Sequence, residues 1–333
     1  MKKRLILGFV FQVLVSQAQD IHFSMYNLSP LTMNPANTGN YNGDWRLMGN
    51  YRSQWREISK AYNTFSIGGD MNFYPFNQNV AGGIFFLNDK SGGNLSINKI
   101  FVSGAFHKKI AGFKLSLGLQ PGLVIKTIDF NSHTFPNQLN WGSGNFDNSL
   151  PNNEPFTKQR LVYFDANAGF NVSRRMKKFE PEIGASFFHL NSPNESFYAQ
   201  ANKLPIRQIY FASLRYFVNA KIAVVPNMVV NVTTKANDWI FGGNLEYTLS
   251  KTSFFENKIF GGFRWRKGVQ RISDAAIVNF GVKYSQYTIG FSYDVNVSPL
   301  KTATGAKGAY EIALIYTGKN SRIHKKQIPC DRY

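Results

Sequence analysis

From residue 43 onward the chain keeps returning to a period of two, and in each such run the apolar face carries no charge. Between 113 and 120, Phe113, Leu115, Leu117 and Leu119 alternate with Lys114, Ser116, Gly118 and Gln120. Val162, Phe164, Ala166, Ala168 and Phe170 interleave with Tyr163, Asp165, Asn167 and Gly169. Tyr287, Ile289, Phe291, Tyr293 and Val295 interleave with Thr288, Gly290, Ser292 and Asp294. A period of two means β-strands with one apolar and one polar face. A soluble β-sandwich alternates as well, so the period alone leaves the solvent open. Run length separates the cases: many runs last about 10 residues, enough for a tilted strand to cross a bilayer, against about 5–6 in soluble sheets. Aromatic residues near the run ends, Tyr51, Trp55, Tyr74, Trp239, Trp265, Tyr284 and Tyr316, suit interfacial girdles.

Fourteen runs can be marked: 43–55, 61–73, 79–89, 95–107, 112–127, 160–173, 179–190, 206–218, 221–234, 237–249, 257–267, 274–284, 286–296 and 308–317. The expected fold is all-β, a transmembrane antiparallel barrel of about fourteen strands over 43–317, an even count as bacterial barrels require. The long connections, 128–159, 191–205 and 297–307, are the fifth, seventh and thirteenth. All therefore fall on one side, the outer side if residue 19 starts in the periplasm. The opposite connections are mostly short, which is the expected asymmetry. Composition agrees: of 333 residues 15% are aromatic, with 30 Phe, 16 Tyr and 28 Gly, unlike a helical bundle. A single cysteine, Cys330, leaves no disulfide framework and no cysteine-based zinc site.

Residues 1–18 read as a signal peptide: basic Lys2, Lys3 and Arg4, an apolar stretch Leu5–Val15, then Ser16-Gln17-Ala18 before a cleavage near Ala18. With a barrel behind it, this places the mature chain in the outer membrane of a Gram-negative bacterium, in contact with its lipid. Without those three basic residues the formal charge falls from +19 to +16. Residues 19–42, with turn residues Asn34-Pro35-Ala36 and Thr38-Gly39, form a plug at the periplasmic mouth or a plain lead-in. Residues 318–333 form a basic periplasmic tail.

Lys114, Asp165, Glu182, Arg215, Glu246, Arg264, Lys283, Asp294 and Glu311 fall on the inward face. Both signs are present, which fits a salt-bridge network filling a narrow barrel; a selective channel is the other reading. Basic residues gather at the periplasmic end, in Arg174, Arg175, Lys177 and Lys178 and, in the tail, Lys325 and Lys326. They are solvated turns or a surface for an acidic partner or anionic headgroups; nucleic acid does not belong in that compartment. Enzyme constellations are missing: five histidines lie far apart, and neither a Gly-x-Ser-x-Gly elbow nor a phosphate-binding glycine loop occurs. No cofactor, catalytic or metal-binding set is expected.

Several segments resemble the PorP/SprF family of outer-membrane proteins associated with the type IX secretion system of Bacteroidota. At the start these are Gln19-Asp20-Ile21-His22-Phe23-Ser24-Met25-Tyr26 and Asn34-Pro35-Ala36-Asn37-Thr38-Gly39. Then come Asn50-Tyr51-Arg52-Ser53-Gln54-Trp55, Asn88-Asp89-Lys90-Ser91-Gly92, Ser292-Tyr293-Asp294-Val295-Asn296-Val297-Ser298 and 308–316. The closing Ile328-Pro329-Cys330-Asp331-Arg332-Tyr333 is similar too, although the family commonly has a second proline at the place of Asp331. The resemblance implies a non-enzymatic barrel, accessory or anchor for type IX export and surface attachment of cargo such as gliding adhesins. Its partners would be type IX components and the exported cargo's C-terminal domain. A channel for small hydrophobic solutes is the alternative, since barrels of the long-chain fatty-acid transporter type also carry an N-terminal plug with Asn-Pro-Ala.

Overall fold

The computed structural model describes residues 22–319, apart from 58–59, 93, 131–133, 155–157, 235–236, 253–254, 269–272 and 300. The expected signal peptide and the tail residues Lys325, Lys326 and Cys330 lie outside the described residues.

In chain order the strands are β1 (Trp45–Gln54), β2 (Tyr62–Phe73), β3 (Asn79–Ser91), β4 (Leu95–Ile110), β5 (Phe113–Ile128), β6 (Leu139–Asn140), β7 (Asn145–Phe146) and β8 (Arg160–Arg174). They continue with β9 (Phe179–Phe188), β10 (Arg207–Phe217), β11 (Ile222–Val232), β12 (Asn237–Lys251), β13 (Glu256–Gly268), β14 (Ser273–Tyr284), β15 (Tyr287–Asn296) and β16 (Lys307–Thr317). β6 and β7 make a two-stranded hairpin of their own, and the other fourteen close into an antiparallel barrel. β1 meets β16 from Arg46↔Thr317 to Gln54↔Ala309, so no edge remains where first and last strands join. These are the fourteen runs marked in the sequence. The connections 129–159, 189–206 and 297–306 all leave from one end, and every connection at the other end has five residues or fewer.

Exposure decides the solvent. On β5, Leu117 and Leu119 are 61% and 65% exposed while Ser116 and Gln120 are 2% and 1% exposed. A water-soluble sandwich would bury the leucines. Here the apolar face looks outward all round the wall, through Leu47, Ile67, Ile84, Val102, Phe164, Ile183, Leu245, Phe280 and Leu314. In lipid each such side chain contributes roughly 1.5–3 kcal/mol, and a closed barrel satisfies the backbone without water. Aromatic clusters band both ends: Trp45, Tyr287 and Tyr316, with centroids 4.9 and 5.0 Å apart, at the short-turn end, and Tyr51 with Tyr310 at the other.

The lumen is filled by the chain itself. Residues 22–40 run inside the wall through a 3-10 turn at Tyr26–Leu28, the helix α1 (Pro30–Met33) and a second 3-10 turn at Pro35–Asn37. Pro30 and Pro35 each open a turn, where a missing amide costs nothing. Phe23, Met25, Leu28 and Leu31 pack with inward Met48, Phe85, Phe101, Val124 and Ile315. Met33 packs with Ile209, Val229, Ile240 and Ile277. The described part of the N-terminal segment is thus a plug rather than a lead-in. It extends beyond the short-turn mouth: Ser24 sits at the level of Arg52, towards the long-loop end, and Gly39 at that of Asp70.

Candidate functional site

The plug is held at three heights. Towards the long-loop end, Arg52 of β1 reaches Asp294 of β15 at 3.0 Å and Glu311 of β16, and Arg266 of β13 reaches Asp294 at 3.2 Å. All four side chains are almost wholly buried. Ser24 supplies the plug's half of this latch. Its hydroxyl donates to Asp294 at 2.8 Å and accepts from Arg52 at 2.8 Å, while the amides of Ser24 and Met25 donate to the two oxygens of Glu311. Charge-assisted bonds of this kind are about twice as strong as neutral ones.

At mid-height Asn34 is the seat. Its Oδ1 accepts the Ala36 amide at 2.8 Å, capping the turn that Pro35 opens, and its Nδ2 donates to the carbonyls of Phe170 and Ala185. The approach requires glycine in the wall. A Cβ on Gly118 would stand 2.3 Å from the Pro35 carbonyl carbon, and one on Gly169 would stand 2.0 Å from Asn34 Oδ1. Gln120 and Ser186 donate to the carbonyls of Leu31 and Met33, so the plug's backbone groups find partners on β5 and β9, the strands that flank β8.

At the short-turn end Arg46 pairs with Asp70 at 2.6 Å, and Asp70 also accepts the Gly39 amide at 2.7 Å. The His107 ring meets the Thr38 carbonyl and the Ser116 hydroxyl, both at 2.7 Å. Tyr41 lies under the Arg46 guanidinium and donates to the Asp70 carbonyl. Burial, and then the Asp70 carboxylate, hold its phenol well above the ordinary tyrosine value, so it stays a donor.

Of the nine lumen charges expected from the sequence, five lie in these layers and four elsewhere. Asp294 and Glu311 belong to the latch. Arg264, fully buried, lies over the Tyr26 ring and donates to Asn279 at 2.7 Å. Lys114 and Glu182 meet the plug at Asn40, and Glu182 also accepts from Asn171. Asp165 pairs with His189 at 2.9 Å near the long-loop mouth. Arg215 and Glu246 form a separate cluster at the short-turn rim, 3.1 Å apart, with Glu180 and Lys258. Lys283 stands beside that cluster, opposite Lys258 in the ladder. Arg46, Arg52, Asp70, Lys126 and Arg266 are inward charges too, absent from the expectation. The alternation rule would have placed Arg46 and Arg52, but β1 has a faint outward face, with Gly49 and Ser53 where other strands carry large apolar residues.

Outside the lumen, Arg174, Arg175, Lys177 and Lys178 are exposed at the short-turn rim. Arg174 lies over the outward Phe113 ring and Arg175 over Phe217, 4.7 and 5.4 Å from the ring centres. At the other end Glu195 of connection 189–206 folds over the mouth, pairing with Lys126 and accepting from Tyr163 at 3.1 Å. Among the described residues, no three His, Cys, Asp or Glu side chains gather as metal ligands.

A wall that is apolar outside, polar inside and closed on itself from β1 to β16 defines an outer-membrane β-barrel. The layered contacts to residues 22–40 make it one whose lumen is occupied by its own N-terminal segment. Its sequence assigns it further: the family model "Type IX secretion system membrane protein PorP/SprF" matches residues 15–316, and the chain belongs to the PorP/SprF family. No curated protein matches the sequence. Among solved structures it is similar to a TodX deltaS2S3 mutant monoaromatic hydrocarbon channel, with a TM-score of 0.50 and 7% identity over 86% of this chain and 92% of that one. A Pseudomonas aeruginosa FadL homologue follows at 9% identity and a TM-score of 0.48, over 85% of this chain and 92% of that one. At such identities the likeness concerns the fold alone.

Proposed function

We propose that this barrel is a non-enzymatic anchor or accessory of type IX export, holding exported cargo at the cell surface. The observation that carries the reading is the filled lumen. A segment tied to both halves of the wall by hydrogen bonds, several of them to buried ion-paired side chains, leaves the work to the barrel's two ends. The long connections would then be the outer surface, as is usual for such barrels, and would hold the cargo's C-terminal domain. The basic rim of Arg174, Arg175, Lys177 and Lys178, with the tail bearing Lys325 and Lys326, would face the periplasmic machinery.

The test is affinity purification of a tagged, gently solubilised copy from its own cells, read by mass spectrometry. Recovery of type IX subunits or a large surface protein is the expected result. The barrel alone, in several mild detergents, overturns the reading. It would leave the alternative of a channel for small hydrophobic solutes, which single-channel conductance then decides. Replacing 134–154 by a short Gly-Ser turn should release cargo into the medium while the barrel still folds. Cargo that stays on the surface removes that connection from the site.

A further inference from the structure

One seam of the wall is much shorter than its neighbours. β8 pairs with β5 along its whole length, from Thr127↔Arg160 to Phe113↔Arg174. Its ladder with β9 runs only from Ala168↔Phe187 to Ser173↔Glu182, because β9 ends at Phe188. β10 begins opposite that point, at Arg207↔Phe188. The upper half of β8 therefore rises beside a gap, on the margin of the tall wall formed by β3, β4, β5 and β8.

Backbone direction there is fixed by three bonds. The Ala166 carbonyl accepts from the Leu190 amide at 2.9 Å, the Ala166 amide donates to Asn191 Oδ1 at 3.1 Å, and the Phe164 carbonyl accepts from Asn191 Nδ2 at 2.7 Å. Even-numbered residues of β8 thus point their amides and carbonyls away from β5, and the Asn191 side chain imitates a neighbouring strand for one step. Above it the imitation stops. The Phe164 amide and both backbone groups of Val162 face the gap with no partner among the described residues. Their side chains are 52% and 57% exposed on the lipid-facing side, in register with Leu123 and Ile125. Backbone groups left bare at a sheet margin are a template for pairing with another chain. An apolar solute filling the gap would leave those groups unmet. What meets the groups is another strand.

We propose that Arg160–Phe164 is a β-augmentation site, on which an extended segment of an exported protein adds as a strand beside β8 on the cell surface. The assignment rests on the surface-anchor reading above, which places this edge on the outer side. Main-chain bonds would supply affinity. Alternate side chains of the incoming strand would lie on Val162 and Phe164 outside and beside Tyr163 inside.

Proline separates this from a packing effect. Val162→Pro removes the amide that faces the gap and leaves the β5 ladder intact, whereas Tyr163→Pro strikes an amide on the β5 side and serves as the barrel-breaking control. Each full-length variant is expressed in its own cells, its folding followed by heat-modifiable mobility, and the exported protein that co-purifies is quantified. Val162→Pro should fold and retain about tenfold less partner, the scale of one backbone hydrogen bond. A photo-crosslinking residue at Phe164 should label that same partner, and one at Phe280 in the opposite wall should not. Undiminished partner on a folded Val162→Pro barrel, or equal labelling from both positions, overturns the augmentation and leaves the anchor reading standing. Wild-type barrel that retains no exported protein overturns both.

Discussion

Of the ion-pair clusters that line this lumen, two differ most, although the alternation in the sequence announces them in the same way. The latch of Arg52, Asp294, Glu311 and Arg266 is almost wholly buried and bonds the plug through Ser24 and Met25. The rim cluster of Arg215, Glu180, Glu246 and Lys258 joins wall strands to each other, and its Arg215 side chain remains 34% exposed. The contrast separates two uses of inward charge. Where the plug arrives, water is displaced and each ion depends on its partners; at the rim Arg215 and Glu180 keep water, and Glu246 has a second cation in Lys258.

The largest expected effect breaks the latch. Arg52→Ala leaves two buried carboxylates facing one another without their shared cation, which should cost about 3–5 kcal/mol in denaturant unfolding. It should also open residues 22–40 to protease. Arg215→Ala should cost less than about 1 kcal/mol, because Arg215 is a third exposed and Lys258 stays paired with Glu246 at 2.8 Å. Equal losses in the two variants would erase the distinction.

Glu311→Gln keeps the shape and removes the charge that two plug amides address. We expect a loss of about 1.5–3 kcal/mol, seen as earlier release of the plug before the barrel unfolds. Gly118→Ala tests the seat without touching a charge. Its methyl meets the backbone of Pro35 and Ala36, which cannot swing aside as a side chain would, and overpacking of this kind costs about 1–3 kcal/mol. Single-channel conductance should rise in this variant if the plug shifts, and remain near silent in wild type.

The smallest effect lies in the connection 129–159. Asp147 accepts from both the hydroxyl and the amide of Ser149, and those bonds lower its carboxyl below the ordinary value. A depressed carboxyl contributes above its unfolded value and loses the contribution as pH falls through the folded one. Acidification should therefore loosen this turn, visible in local amide shifts. Asp147→Asn should leave barrel unfolding unchanged, since the turn touches neither cluster.

How much of this was legible beforehand differs by element. All fourteen barrel strands could be read, because a strand that faces lipid outside and a polar lumen inside has to alternate along its length. The count then followed from turns and the split of connection lengths. The latch was half legible. Asp294 and Glu311 stand in strongly alternating runs, but Arg52 stands in β1, where Gly49 and Ser53 dilute the outward face. The plug was legible only as turn chemistry at Asn34-Pro35-Ala36. Its seat depends on Gly118 and Gly169, and a glycine in a strand does not say what comes close to it.

The sequence by itself determined which face every strand turns to the lipid, because period two leaves no freedom once one face is apolar. It also determined the class of barrel, since an uncharged stripe of this length has no place in water. Only the tertiary structure decided which charges meet, where the N-terminal segment lies and which seam is left short. Those depend on closure and register, which set residues more than two hundred positions apart side by side, as Arg52 stands beside Asp294. The period fixes a side chain's face, and it carries no record of the neighbour.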